Sequence, residues 1–478
     1  MKSKSLGKNA IYNVVGQISS LVFSVILMPY LTRTLGSEGY GKYNYCLSIC
    51  GYFLSVSALG ISAYAIREIS AIRENREKAY EIGRELFSLN ILSAIIAYGL
   101  FFLMLVIWRP VGAYREILLI LSLEIVFRTI GRSWIYSAYE DFRFATIESI
   151  LIHALRTAAI FLFVKSQNDL AVYAGITSTC TALLACIDCL YTSRYMRYGV
   201  TLDMKLSKHL APVLIIFMSA ITTSVYLDSD ITMLGIFRGD VDVGIYKVST
   251  QVYTMVKTML NAIVAVMIPR MSFLYNQNRD DDFTELTSRS VSMIVLLVIP
   301  ALSGLYMIAD DVVFLLAGEE YMAAVGPLRV LSFALLCATV GNICSNGVLL
   351  TIRKEKLSFL ISLISAGVNI LLNLFLIRKY SYIGAAITTV IAEIVVLTLG
   401  LVWSRRYISF AVVLKRLLIA VLGSAGVILA CSWISTLGWG HIPDMIAKIL
   451  LSCICYGVIV WLIPDTRGLI KSLWAKSA

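Results

Sequence analysis

Apolar residues fall along this chain in long runs, separated by short stretches that carry most of the charge. Fourteen runs can be marked, at about 10 to 32, 41 to 64, 87 to 108, 116 to 138, 144 to 164, 169 to 192, 209 to 227, 243 to 268, 289 to 308, 322 to 350, 357 to 377, 382 to 403, 414 to 436 and 446 to 463. A helix of about 20 residues, rising about 1.5 Å per residue, crosses roughly 30 Å of hydrocarbon, so each run predicts a membrane span. The seventh is the weakest, because Thr222, Thr223, Asp228 and Asp230 make one end polar. Pro29, Pro212 and Pro300 lie in or near spans and are candidate kinks. The predicted class is an all-α integral membrane protein.

The first two spans form a hairpin whose turn, Leu35 to Tyr43, contains Gly36, Gly39 and Gly41. Gly36-x4-Gly41-Lys42 copies part of a phosphate-binding loop, but Tyr43 stands where a Ser or Thr hydroxyl is needed and no strand precedes it. A glycine-rich turn that lets helices pack closely is the expected reading. The hairpin recurs: Leu234-Gly235 with Val243-Gly244-Ile245-Tyr246 echoes Leu35-Gly36 with Tyr40-Gly41-Lys42-Tyr43. Tyr43 precedes Arg67, and Tyr246 precedes Arg270, by the same 24 residues. Two halves offset by about 200 residues point to a duplicated bundle of the kind found in secondary transporters.

Composition narrows the class further. Of 478 residues, 59% are hydrophobic and 15% charged, against about 25% charged in soluble domains. The net charge of +11 sits in short clusters between apolar runs, which argues for membrane loops and against a nucleic-acid partner. With the N-terminus inside, segments on that side hold 26 Lys and Arg, among them Lys2, Lys4, Lys8, Arg197, Arg467, Lys471 and Lys476. Segments on the other side hold 8. This asymmetry places both termini in the cytoplasm. Asn13, Gln17, Ser19 and Ser20 make the first run too polar for a signal peptide, so an uncleaved first helix is expected. No loop is long; Arg67 to Glu85 has the look of a charged interfacial helix. Asp310-Asp311 with Glu319-Glu320 is a small acidic loop, far short of the outer domain expected of a glycan polymerase.

Catalytic and metal-binding patterns are missing. His153, His209 and His441 are scattered, and Cys186-Ile187-Asp188-Cys189 lacks a second pair to complete a site. No cofactor is expected. What remains are charges at membrane depth, which are costly and therefore functional candidates. Glu124, Arg128 and Arg132 are spaced to share one face of the fourth span; Glu148 and Arg156 lie on the fifth. The eighth carries Lys247, Gln251, Lys257 and Asn261, and the twelfth Glu393. Arg132 and Lys247 lie nearer the interfaces and are placed to snorkel. Arg128, Arg156 and Lys257, with Arg132 and Lys247, are the candidate anion-binding residues. Pairing of Arg128 or Arg156 with Glu124 or Glu148 is the structural alternative. Glu393, Asp228 and Asp230 are candidates for ion coupling, with proton and sodium both open. Arg67, Glu68 and Arg270, at the inner ends of the second and eighth spans, are candidate gate or inner-leaflet contacts. The stripe Ser362, Ser365, Asn369 and Asn373 is explained by interhelical hydrogen bonding.

Several stretches together resemble the polysaccharide-transport family of the multidrug/oligosaccharidyl-lipid/polysaccharide exporter superfamily, in particular its O-antigen-type flippases. They are Pro29 to Gly36 with Gly39-Tyr40-Gly41-x-Tyr43, Ala65-Ile66-Arg67-Glu68, Asp230-x-x-Met233-Leu234-Gly235, Val243-Gly244-x-Tyr246, Ile268-Pro269-Arg270, Asn369-x-x-x-Asn373, Ile383-Gly384-Ala385-Ala386 and Glu393. The resemblance implies two six-helix lobes, 1–205 and 206–405, around a central cavity, with helices thirteen and fourteen and a tail in 406–478. It implies a flippase, not an enzyme, in a bacterial inner membrane, moving undecaprenyl-diphosphate-linked glycan by alternating access. Membrane lipids, a polymerase and a chain-length protein are the implied partners. The cationic candidates fit, since an anionic diphosphate crossing the membrane needs fixed positive charge to offset its desolvation; they are expected to face one cavity. The alternatives are a lipid II or teichoic-type precursor, a drug or cation exporter of the same fold, and a membrane glycan polymerase. The first span lacks a mid-membrane arginine of the kind found in lipid II flippases.

Overall fold

A computed structural model describes residues 6–196 and 199–463, with fifteen α-helices and no strand among them. Lys2, Lys4, Arg197, Arg467, Lys471, Lys476 and the side chains of Lys8 and Asn13 lie outside the described residues. The helices are α1 (Leu6–Ala58), α2 (Ile61–Ile72), α3 (Arg76–Ile107), α4 (Arg115–Ile130), α5 (Trp134–Ala138), α6 (Phe142–Phe163), α7 (Leu170–Thr192) and α8 (Leu206–Phe237). They continue as α9 (Asp240–Asn276), α10 (Asp280–Met307), α11 (Ala309–Ala317), α12 (Val325–Asn342), α13 (Glu355–Ser404), α14 (Phe410–Ser435) and α15 (His441–Leu462).

Eleven stretches among the described residues are long and apolar enough to cross a membrane. Two of them hold a kink at a turn expected from the sequence. α1 bends at Gly36, with φ 67°, where the absence of a Cβ makes the left-handed backbone accessible. α13 bends at Ser381, with φ 51°. Pro29 sits inside α1 without breaking the helical backbone, so the bend of the first hairpin belongs to Gly36 and not to the proline.

Two expected spans are broken partway. The second ends at Ala58, turns through Leu59 and Gly60 with φ 46° and 70°, and restarts as α2. The fourth ends at Ile130; Gly131 turns extended, with ψ 130°, before the short α5. A helix broken at membrane depth frees carbonyls and amides, which is tolerated where protein or a cavity surrounds them. The charged segment up to Glu85, expected to lie at the interface, divides between α2 and the start of α3, which runs unbroken into the third span.

By contacts the chain forms two units, Met1–Gly244 and Ile245–Ala478. In the first, α1 packs on α3, α4, α6 and α8, and α8 also packs on α2. This division therefore falls after α8, whereas the repeat boundary expected at 205/206 falls before it. The glycine-rich turn is a close-packing device: a Cβ on Gly41 would overlap the Asp240 carbonyl, and one on Gly244 would overlap the Ser37 carbonyl. The phosphate-loop look of Gly36 to Lys42 thus has a packing origin. In the second unit α12 packs on α13, α10 on α14, and α14 on α15, with Tyr456 donating to the Leu296 carbonyl at 2.5 Å. The expected stripe on α13 bonds across that helix's own kink, Ser365 donating to the Ala392 carbonyl at 2.9 Å and Asn373 Oδ1 accepting from Thr388.

Candidate functional site

The first unit encloses a cavity of about 640 Å³ at the level of the two helix breaks. Ser55, Ser57 and Ala58 at the end of α1, Ser62 at the start of α2, Thr129 and Gly131 at the α4 break, and Trp134 of α5 all contribute to its wall. Ser57 Oγ and Thr129 Oγ1 meet at 3.0 Å and pin the two broken ends together. Arg128, Arg156, His153 and Asp188 line the same space. Two expected anion-binding residues thus share one cavity, although they come from different helices.

Each arginine is held differently. Arg128 binds Glu124 through Nε at 3.1 Å and Nη2 at 2.9 Å, the i, i+4 partner expected from the sequence. Glu124 is 3% exposed and Arg128 62%, so the carboxylate is sequestered while the guanidinium stays open to the cavity. Arg156 has no carboxylate partner among the described residues. Its Nη2 donates to His153 Nδ1 at 2.9 Å, so the imidazole accepts. Glu148 is not its partner.

Arg132 departs from expectation. It falls in the break after α4, so it does not continue the Glu124 and Arg128 face, and it does not snorkel. It is 1% exposed, with its guanidinium carbon 3.5 Å above the centre of the Phe87 ring. A helical reading of 116 to 138 concealed this, because Gly131 breaks the periodicity that placed it.

In the second unit Lys257 Nζ lies 2.7 Å from Glu393 Oε1, and Tyr253 donates to the same carboxylate at 3.4 Å. Lys257, which has no acid within two turns on its own helix, finds one on α13. Glu393, singled out separately for ion coupling, is the lysine's counter-charge. One turn beyond Lys257, Asn261 accepts from Asn342 at 3.0 Å, beside a π-helical segment Ile343–Leu349. Lys247 is half-buried on α9. Asp228 is half-buried and Asp230 buried on α8.

Arg67 is exposed, pairs with Glu68 at 3.2 Å and lies over the Tyr64 ring. Arg270 is exposed on α9. Behind Arg67 runs a chain the sequence did not reveal, buried at Tyr64, His209 and Glu85 and exposed at its far end: Tyr64 to His209 Nδ1 at 3.0 Å, His209 Nε2 to Glu85 at 2.8 Å, and Lys205 to Glu85 at 2.7 Å and to Glu81. Its hydrogen bonds to Glu81 and Glu85 push the Lys205 pKa above the ordinary lysine range. No local pattern joins residues this far apart. His441, likewise, meets Asp311 at 2.9 Å beside Lys448. Asp188 was visible in sequence only inside a cysteine motif; all ten cysteines are free.

Residues 6–275, more than half of the chain, match the family model described as polysaccharide biosynthesis protein. The chain belongs to that family. Two relatives combine low sequence identity with wide coverage. A protein of Escherichia coli (strain K12) described as an O-antigen transporter is 26% identical over 405 residues, covering 84% of this chain and 97% of the relative. The capsular polysaccharide biosynthesis protein CapF of Staphylococcus aureus is 24% identical over 398 residues, covering 82% and 97%. Residues 241–448 also match the model for the lipid II flippase MurJ. A solved MurJ structure in an inward closed conformation superposes with a TM-score of 0.80 at 15% identity, covering 96% of this chain and 100% of that one. An inward-facing multidrug transporter of the MATE family superposes at 0.61, with 15% identity, covering 83% and 97%. These likenesses establish the all-α membrane fold, and the family match bears out the resemblance read from the sequence.

Proposed function

We propose that this polysaccharide biosynthesis protein is a flippase that carries undecaprenyl-diphosphate-linked oligosaccharide from the inner to the outer leaflet by alternating access, without making or breaking a covalent bond. The observation that carries this reading is the cavity of the first unit, where Arg128 keeps its guanidinium exposed and Arg156 lacks a carboxylate partner among the described residues. Cations left available at membrane depth suit a diphosphate, which brings its own negative charge into a region that solvates ions poorly. Lys257, in the second unit, is a further anion contact, with Glu393 holding its position. The descriptions of the relatives, an O-antigen transporter and a capsule biosynthesis protein, support a lipid-linked glycan as cargo. The split in loop charge supports a bacterial inner-membrane location with both termini in the cytoplasm. A polymerase and a chain-length protein are the partners such a cargo requires after translocation.

The test is surface glycan in a strain deleted for this gene and complemented with Arg156→Gln, with Arg128→Gln in a Glu124→Gln background, or with a double variant that loses both arginines in that background. Loss of glycan at normal membrane abundance is expected; full glycan from the double variant overturns the reading. The MurJ match over residues 241–448 favours a second reading, a lipid II type precursor. Rescue of a strain depleted of its lipid II flippase, without restoration of surface glycan, would establish that one instead.

A further inference from the structure

Lys257 and Asn261 lie four residues apart on α9, a spacing that sets their side chains about 5–6 Å apart on one face. Within the second unit Lys257 is met by Glu393 of α13, and Asn261 by Asn342 of α12. Asn342 in turn accepts from Asn346, in the π-helical segment. Three carboxamides, Asn346 to Asn342 to Asn261, thus join head to tail beside the lysine.

The chain leaves hydrogen-bonding capacity unused. A carboxamide carries two amide hydrogens and a carbonyl. The two bonds consume one hydrogen of Asn342 and one of Asn346. Among the described residues nothing meets the two hydrogens of Asn261, the second hydrogen of Asn342, or the second hydrogen and the carbonyl of Asn346. These groups are also reachable: Asn261 and Asn342 are half-buried, Asn346 is exposed, and none of their side-chain nitrogen or oxygen atoms is sealed off without a partner. By contrast Asn369 and Asn373 of α13 are 1% and 0% exposed. Amides that only fastened α9 to α12 would be closed over in the same way. The π-helical turn that carries Asn346 is a further irregularity of the kind found mostly at functional sites.

Spare donors and a spare acceptor, set close together in an apolar protein, suit a ligand rich in hydroxyl groups, since each hydroxyl both donates and accepts. A diphosphate would use the donors and leave the Asn346 carbonyl unmet, and a hydrocarbon tail would use neither. We propose that Asn261, Asn342 and Asn346 form a sugar subsite, which reads the hydroxyls of the sugar attached directly to the diphosphate while Lys257 meets the diphosphate one helical turn away. In a glycosyl diphosphate the first sugar's hydroxyls lie within one ring's width of the phosphate, the same span that separates Asn261 from Lys257. The subsite rests on the carrier function proposed above and adds a source of cargo selection to it, because a site built to bond a hydroxyl rejects an analogue that lacks it.

The experiment uses the full chain in lipid nanodiscs and measures binding of polyprenyl methyl diphosphate, which has no sugar. The same lipid carrying glucose, galactose or N-acetylglucosamine in place of the methyl group has the same two negative charges. At least one sugar compound should bind about tenfold more tightly than the methyl compound, the size of one or two net hydrogen bonds. Asn261→Leu and Asn346→Leu should each bring that ratio close to one and leave the affinity for the methyl compound unchanged. Lys257→Met with Glu393→Gln should weaken all four compounds alike and keep the ratio. Asn346 is exposed and ends the chain of amides, so its substitution keeps the test decisive where Asn261→Leu fails to fold. If the amides serve only to fasten helices, the variants lower thermal stability and keep the wild-type ratio, which overturns the proposal. A wild-type protein that binds the methyl compound and gains nothing from any of the three sugars overturns it as well. Binding of none of the four compounds overturns the diphosphate reading, and the sugar subsite with it.

Discussion

Lys257 and Glu393 illustrate how one residue's role depends on its partner. Glu393 is buried and Lys257 is 24% exposed, so removing the lysine strands a carboxylate in the interior. Breaking such a pair costs about 3–5 kcal/mol. Lys257→Met is therefore expected to lower the amount of folded protein, and Glu393→Gln in the same chain to restore it, as read by membrane abundance and detergent thermal stability. If export returns together with abundance in the double variant, Lys257 is a structural residue; continued loss of export marks it as an anion contact. Arg128 calls for the same design, because Arg128→Gln strands Glu124. In a Glu124→Gln background, Arg128→Lys should retain part of the export and Arg128→Gln none, since either cation meets a phosphate but only arginine does so with two parallel bonds.

At the scale of elements, the two glycine turns and the two helix breaks decide the architecture of the first unit. The overlap at Gly41 and Gly244 is with backbone carbonyls, which cannot swing away as a side chain can. Gly41→Ala or Gly244→Ala should each destabilise the protein by about 1–3 kcal/mol or more, whereas Gly112→Ala, with nothing within 4 Å of the added methyl, should leave stability unchanged. Thermal unfolding of the purified variants measures this; an unchanged Gly41→Ala would show that the turns do not hold the close approach. The breaks at Leu59-Gly60 and Gly131 matter for a different reason. They turn two membrane spans into cavity walls and bring Ser57 to Thr129.

For the whole molecule, orientation is the property that most constrains function. The loop after α9 contains Asn278, and the loop after α11 contains Glu319. A reporter active only outside the cytoplasm should be silent when fused after Asn278 and active when fused after Glu319. The reverse pattern would invert the topology, and with it the leaflet from which cargo is loaded.

The hydropathy pattern by itself determined the class, the positions of the spans, the repeat of the glycine turns and the candidate cations, because bilayer thickness imposes one length on every span and loop charge imposes one direction. The i, i+4 pair of Glu124 and Arg128 was legible for the same reason: it is local to one helix. What tertiary structure decided is where those helices stop and which charges meet. Gly131 could have continued a helix; it turns extended instead, and Arg132 leaves the face that periodicity assigned to it. Lys257 with Glu393, and His209 with Glu85, join different helices. Such partners are selected by which faces pack together, and a single sequence records the residues but not the contact.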